Sequence, residues 1–153
     1  MNFKGISYYL GLLCLPISIL SFINILYSSY FDYFLSINSY IATLIISLSI
    51  GLILIFSGRN ASRRINFIDQ LLLIIVSYLT VSILISLPFY LSNYQVTFIN
   101  SIFEAISGLT GTGFSIFENV KYLDPTLILW RSSSQWIGGL YFLFFLIIIF
   151  SNK

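Results

Sequence analysis

The chain has 153 residues, of which 58% are hydrophobic and 18% aromatic, while only 8% are charged. Soluble domains carry roughly 25% charged residues, so most of this chain is expected to lie in lipid. The net charge is only +2, there is no histidine, and Cys14 is the single cysteine. These features argue against nucleic-acid binding, a disulfide framework, a thiolate metal site and most nucleophile–base catalysis, so we do not expect an enzyme.

Four apolar stretches are long enough to cross a bilayer as helices, which takes about 20 residues. They cover residues 6–27, 39–56, 71–87 and 126–150. Pro16 lies inside the first stretch and is expected to kink it, because neighbouring helices can satisfy the carbonyl that a proline frees. The third stretch is expected to end where Pro88 follows it. The composition and these spans predict an all-α membrane protein with four transmembrane helices.

Five of the seven basic residues occur at three places along the chain. Lys4 precedes the first span, Arg59, Arg63 and Arg64 separate the second from the third, and Lys153 follows the fourth. Basic loops remain on the cytoplasmic side of a membrane, so both termini are predicted to be cytoplasmic. The arginine cluster is either a topology signal alone or, in addition, a docking site for a cytosolic partner.

Residues 97–115 lie between the third and fourth spans and contain the most informative motif of the chain. We predict a short helix over residues 97–109, with Thr97 as its N-cap. If this segment crossed the membrane, Lys153 would lie outside, so we predict a re-entrant helix and pore loop. The helix is followed directly by Thr110, Gly111, Thr112 and Gly113.

Alternating threonine and glycine would present a column of oxygens at membrane depth. Non-helical backbone is tolerated there only where it is buried in protein or lines a water-filled path. Glycine permits the backbone angles that align successive carbonyls. A ring of such oxygens can replace the hydration shell of a monovalent cation. Residues 110–113 are therefore the candidate ion-binding filter, with the threonine hydroxyls as additional ligands.

Glu104 lies within the short helix, in apolar surroundings, and should face protein or water rather than lipid. One interpretation is an anion that sets the field near the pore. The other is a bracket, in which the carboxylate accepts backbone N–H bonds or pairs with a cation to support the loop. A bare carboxylate beside a filter would hold a cation too tightly to conduct, which favours the bracket. Arg131, near the outer end of the fourth span, is the nearest candidate partner by depth.

Two runs carry a family resemblance: Ile-Phe-Glu-Ala-Ile-Ser-Gly-Leu-Thr-Gly-Thr-Gly-Phe-Ser at 102–115, and Leu-Trp-Arg-Ser-Ser-Ser-Gln-Trp-Ile-Gly-Gly-Leu at 129–140. Together they resemble the first pore repeat of the Trk/Ktr/HKT potassium transporter superfamily, in its TrkH-like branch. Members have four helix–pore loop–helix repeats around a central cation pathway. The resemblance implies that this chain supplies one quarter of such a pseudo-tetrameric fold.

The same resemblance implies a division of the chain. Residues 1–66 would be two leading helices with a cytoplasmic arginine loop, and residues 67–153 one repeat with its filter at 110–115. It further implies potassium as the transported ion, a bacterial inner membrane, and a cytosolic nucleotide-binding regulatory subunit as a partner. The family filter commonly reads Thr-Thr-Thr-Gly, and Gly111 replaces its middle threonine. Tyr141 stands where a small residue usually follows Gly-Gly-Leu.

Only one copy of the pore motif occurs in the sequence. One repeat supplies a quarter of an oxygen ring, so further repeats or other subunits are expected as partners, in addition to lipid. The alternative is a truncated or scaffolding membrane subunit without transport activity of its own. Gly138 and Gly139 are interpreted as helix-packing positions rather than ion ligands. Trp130 and Trp136 are interpreted as packing residues or interface anchors.

Overall fold

The computed structural model describes residues 2–62 and 66–150. These residues form five α-helices and one 3₁₀ turn, with no strand among them. Arg63, Arg64 and Lys153, which contributed to the predicted orientation, lie outside the described residues. The helices are α1 (Phe3–Tyr30), α2 (Ile37–Gly58), α3 (Phe67–Tyr90), α4 (Phe98–Leu109) and α5 (Pro125–Phe150), and the 3₁₀ turn is Val120–Tyr122.

Four of the described helices are long and apolar enough to span a membrane, which confirms the prediction of four spans. These are α1, α2, α3 and α5, with 28, 22, 24 and 26 residues. The remaining helix, α4, has 12 residues. At the rise of an α-helix it is about 18 Å long, well short of the hydrocarbon core of a bilayer.

Prolines lie inside two of the long helices. Pro16 lies inside α1, as expected. The expectation that the third helix ends before Pro88 is wrong, because α3 continues to Tyr90. A proline lacks an N–H donor and its ring crowds the carbonyl four residues earlier, but the residues that follow it keep their own donors. The backbone N–H of Leu91 donates to the Leu87 carbonyl at 2.8 Å and closes the last turn. The helix therefore passes the proline and ends within one turn of it.

Helices α1 and α2 approach each other closely at a pair of glycines. A Cβ built on Gly11 would lie 2.7 Å from the carbonyl oxygen of Gly51. Lipid tails are as apolar as the side chains, so helices in a membrane associate largely through such close packing. On the other side of α1, the buried Tyr141 of α5 donates a hydrogen bond to the Leu13 carbonyl. The large side chain of Tyr141 thus joins α5 to α1 by a hydrogen bond.

The two tryptophans of α5 have different surroundings. Trp130 is fully buried, and its indole N–H donates to the Ile85 carbonyl of α3 at 3.0 Å. It also packs against Tyr40 of α2, with 5.7 Å between the ring centroids. Trp136 is 74% exposed. Trp130 is therefore a packing residue that joins three helices, whereas Trp136 lies on the outer surface.

Several buried serine and threonine hydroxyls in the long helices donate to the backbone of their own helix. Ser21 donates to the Ile17 carbonyl at 3.0 Å, and Thr43 donates to the Ser39 carbonyl at 2.8 Å. Because a lipid environment offers no water, a hydroxyl inside a membrane helix needs such a partner. The many serines of this chain are therefore compatible with membrane-spanning helices.

One end of the bundle joins the start of α1 to the connection between α2 and α3. The backbone N–H of Asn2 donates to the Asp69 carboxylate at 3.2 Å. Its side-chain amide donates to the Ser62 carbonyl at 2.7 Å. Asp69 lies in the first turn of α3, where the helix dipole favours an acid. The N-terminus of α1, the end of α2 and the start of α3 therefore lie together.

The opposite end joins the other connections. The side-chain amide of Asn93, just after α3, donates to the Leu35 carbonyl between α1 and α2 at 3.0 Å. The backbone N–H of Asp124, just before α5, donates to the Tyr94 hydroxyl at 2.6 Å. The segment that contains α4 therefore begins and ends at the same end of the bundle.

Candidate ion-binding loop

The short helix α4 buries its small and polar face. Thr97 caps it by accepting a hydrogen bond from the Asn100 backbone N–H at 3.4 Å, as predicted. Large apolar side chains are left on the outer surface, and small residues allow α4 to approach its neighbours closely. The buried residues of α4 are Ser101, Glu104, Ala105, Ser107, Gly108 and Leu109. The exposed large apolar residues are Phe98, Ile99, Phe103 and Ile106.

The chain turns sharply at the end of α4. Thr110 follows the last helical residue, and its backbone N–H donates to the Ile106 carbonyl at 2.9 Å. Gly111 and Gly113 have φ angles of +70° and +77°. A Cβ on either glycine would meet no atom within 4 Å. Glycine is therefore required here by the left-handed backbone and not by lack of space.

Side-chain hydroxyls tie this turn back to α4. The Thr110 hydroxyl donates to the Ile106 carbonyl at 2.8 Å. The Thr112 hydroxyl lies 3.3 Å from the Ser107 carbonyl and 3.2 Å from the Ser107 hydroxyl. The Ser107 hydroxyl in turn donates to the Phe114 carbonyl at 2.6 Å. The threonine hydroxyl protons are thus used within the loop, which holds the backbone in one conformation.

The backbone carbonyls of the loop differ in their partners. A terminal nitrogen of Arg131, Nη2, donates to the carbonyls of Gly113 at 3.0 Å and Phe114 at 3.3 Å. Among residues 2–62 and 66–150, no hydrogen bond reaches the carbonyl oxygens of residues 110, 111 and 112. Three consecutive carbonyls therefore lack a protein donor, whereas the threonine hydroxyls and the next two carbonyls of the loop are bonded.

A buried ion pair lies behind the loop. Glu104 is only 1% exposed, and its carboxylate pairs with Nε of Arg131. The same carboxylate accepts hydrogen bonds from the Ser115 hydroxyl at 3.1 Å and from the Ile116 backbone N–H at 3.0 Å. A buried carboxylate is tolerated when it is paired and hydrogen-bonded in this way. These contacts favour the bracket interpretation of Glu104 over an unpaired anion.

Helix α5 packs directly against the last turn of α4. A Cβ on Gly138 would overlap the Leu109 carbonyl group and lie 2.6 Å from its carbon. A Cβ on Gly108 would overlap the Ser134 hydroxyl. In contrast, a Cβ on Gly139 would meet no atom within 4 Å. Only the first of the two adjacent glycines in α5 is therefore a close-packing position.

The structure brings the candidate residues into one region. Residues 110–113 form one exposed turn directly after α4, and Glu104 and Arg131 support the backbone that follows it. Ser107 and Ser134, which contact the loop and the end of α4, were not among the predicted site residues. The available signal was a small hydroxyl residue in a segment otherwise rich in large apolar residues. Such serines also occur throughout the long helices, so the signal was not specific.

The fold and this site define an all-helical membrane protein with a threonine–glycine loop held by a buried ion pair. The chain belongs to the TrkH family of cation transport proteins, because the sequence profile of that family matches residues 36–152. This match covers all of the site and every helix except α1. The resemblance seen in the two sequence runs is confirmed.

Individual relatives come from archaea and bacteria. An uncharacterized cation transporter of Methanocaldococcus jannaschii is 26% identical over 138 residues, which are 90% of this chain and 28% of that protein. The Trk system potassium uptake protein TrkI of Halomonas elongata is 38% identical over 65 residues, or 42% of this chain and 13% of that protein. TrkG of Escherichia coli K12, also a Trk system potassium uptake protein, is 27% identical over 86 residues, 56% of this chain and 18% of TrkG. The chain thus spans less than a third of the length of these relatives.

Proposed function

We propose that this chain forms part of a potassium transporter and supplies one side of its ion-binding filter. Thr110, Gly111, Thr112 and Gly113 would contribute backbone carbonyl oxygens to a dehydrated monovalent cation. The observation that carries this proposal is the set of three consecutive carbonyls, at residues 110–112, that accept no hydrogen bond from the described residues. The family relationship and the relatives named as potassium uptake proteins support the same ion.

The chemistry of the loop suits a weakly held cation. Carbonyl oxygens can replace the water of hydration without the strong attraction of a carboxylate, which would prevent release. The negative end of the α4 dipole lies at Leu109, directly beside the loop, and favours a cation. Gly113 has a carbonyl that already accepts from Arg131. Since a carbonyl oxygen has two lone pairs, Gly113 retains one for an ion.

We further propose that α4 and its loop enter the membrane from the outer side and return to it. Tyr94 before α4 and Asp124 before α5 are hydrogen-bonded to each other, which supports a path that begins and ends on one side. The exposed Lys4 and Arg59 belong to the opposite end of the bundle, close to the Asn2 contacts. By the positive-inside rule that end is cytoplasmic. Both termini would then face the cytoplasm of a bacterial inner membrane.

One loop can surround an ion on one side only. We propose that residues 1–66 are leading helices and that residues 67–153 form one pore repeat, which further repeats or other subunits complete into a ring. A cytosolic nucleotide-binding subunit is a proposed regulator. Residues 110–113 are exposed and are therefore accessible to the further repeats or subunits that would complete the ring.

The test is potassium uptake by the protein at its full natural length, in a bacterial strain without other potassium uptake systems. Gly113→Asp should abolish rubidium or potassium uptake while the membrane content of the protein is unchanged. The substitution places a Cβ on a backbone with positive φ and adds a fixed charge beside the filter carbonyls. Asn119→Asp is the matched control, because it adds the same charge at an exposed residue beyond the loop. Normal uptake by Gly113→Asp would remove residues 110–113 from the ion path.

A further inference from the structure

We infer that one face of α5, formed by Ser134 and Gly138, sets the position of the filter by fixing the last turn of α4. These are positioning residues, since they touch the helix that precedes the filter rather than an ion. The inference rests on the proposed function for its effect on transport. Its structural part concerns only where α5 holds the end of α4.

The contact at Gly138 is between backbone groups. A Cβ at this position would lie 2.6 Å from the Leu109 carbonyl carbon and 2.9 Å from the Leu109 Cα. Cβ atoms essentially never lie within 3.0 Å of such atoms, and backbone cannot rotate away as a flexible side chain can. Leu109 is the last residue of α4, and the next residue is Thr110. Any movement forced at Leu109 is therefore passed directly to the first carbonyl of the filter.

Three residues on one face of α5 contact α4. Arg131, Ser134 and Gly138 follow one another at intervals of three and four residues, so they share one face of the helix. The outermost contact is the ion pair, and the innermost is the glycine. Together they hold α4 at three points along its second half. Their partners on α4 are, in order, Glu104, Gly108 and Leu109.

Gly139 provides an internal comparison. It is the next residue of the same helix, it is exposed, and a Cβ on it would meet nothing within 4 Å. Glycine-to-alanine changes at 138 and 139 have the same effect on intrinsic helix propensity. They differ in one respect, which is the collision with Leu109. A difference in their behaviour therefore measures the contact with α4.

The expected effect is on ion selectivity as well as rate. Selectivity between potassium and sodium depends on the size of the cavity and on the number and field of its carbonyls. If α5 displaces Leu109, the carbonyls at residues 110–112 lose the spacing that the close contact maintains. A residue with a merely structural role would change the amount of protein in the membrane and leave the ratio of ions transported unaltered.

The experiment compares Gly138→Ala with Gly139→Ala in the protein at its full natural length. We expect Gly138→Ala to lower rubidium uptake per molecule by about tenfold, since overpacking of this kind is strongly unfavourable. Sodium should also inhibit the remaining uptake more strongly. Gly139→Ala should resemble the unaltered protein in both measurements. Equal rates and equal sodium inhibition in the two variants would overturn the inference.

A second pair of variants applies if Gly138→Ala does not accumulate in membranes. Gly108→Ala would collide with the Ser134 side chain, which can be removed. We expect Gly108→Ala to impair uptake and the double variant Gly108→Ala/Ser134→Gly to recover most of it. Recovery supports positioning through this face. Impairment of equal size in the single and double variants contradicts it.

A labelling measurement separates this inference from the proposed function. Phe114→Cys in a Cys14→Ser background places one thiol at the exposed end of the loop. Addition of Gly138→Ala should raise its rate of reaction with a water-soluble thiol reagent, and addition of Gly139→Ala should not. If the unaltered protein transports no cation but this difference is present, the proposed function fails and the positioning role stands. If the protein transports and the labelling rates are equal, the positioning role fails alone.

Discussion

At the scale of single residues, the loop depends on the charges of Glu104 and Arg131. Each group would be costly to bury alone, and the two form an ion pair. The carboxylate also accepts a hydrogen bond from the Ile116 backbone N–H, and the guanidinium donates one to the Gly113 carbonyl. The guanidinium is suited to this because it can bond the carboxylate and two carbonyls at once. A lysine could supply the charge but not this set of directed bonds.

We expect Glu104→Gln to lower the free energy of unfolding by about 3–5 kcal/mol, because it leaves Arg131 without its buried partner. Thermal or denaturant-induced unfolding in detergent measures the change. Glu118→Gln is the control at an exposed residue and should stay within about 0.5 kcal/mol of the unaltered protein. Equal stability of the two variants would mean that the pair contributes nothing to the fold.

At the scale of helices, hydropathy and length were sufficient to predict the spans. The four long helices and the short α4 were predicted because apolar runs of membrane length and the Thr97 cap are local signals. The end of α3 was placed too early, because a proline near a helix terminus removes one bond without stopping the helix. The pairing of Glu104 with Arg131 could be suggested from their similar depth and no further.

Other features of the site were beyond prediction because they depend on how the helices are rotated and packed. Gly138 and Gly139 are adjacent in sequence, and only their positions around α5 separate a residue in contact with Leu109 from an exposed one. The bonds of Ser107 to both sides of the turn depend on the path of residues 110–114. The sequence alone indicates neither the rotation of α5 nor the path of residues 110–114.

The close approach of α1 and α2 gives a prediction at this scale. Gly11→Leu should destabilise the protein by about 1–3 kcal/mol, because the new side chain must separate helices that touch through backbone. Gly139→Leu adds the same side chain to an exposed position and should have a much smaller effect. Unfolding in detergent measures both. A loss of stability that is no greater for Gly11→Leu would show that the two helices separate without cost.

At the scale of the whole molecule, two groups of polar contacts define opposite ends. Asn2 joins Asp69 and Ser62 at one end, and Tyr94 joins Asp124 at the other. The segment with α4 leaves and returns at the second end. This arrangement supports the proposed re-entrant path, in which the loop is reached from one side of the membrane only.

Cysteine accessibility tests that arrangement in a Cys14→Ser background. We expect a cysteine at Ser115 to react with a membrane-impermeant reagent added from outside. A cysteine at Ala61 should react only from inside, because it follows α2 at the end that holds Lys4 and Arg59. Labelling in intact cells and in inverted vesicles distinguishes the two sides. Reaction of both cysteines from the same side would contradict the proposed re-entrant path.

The ion pair also has a consequence for the order of events during biosynthesis. Arg131 is 27 residues beyond Glu104 in the chain, so the carboxylate leaves the ribosome first. At about 5–20 residues per second, its partner follows about one to five seconds later. During that interval only water or a proton can satisfy the acid, and neither is provided by lipid. We therefore expect α4 to wait at the membrane surface until the first turns of α5 have been made, and the two to enter their final position together.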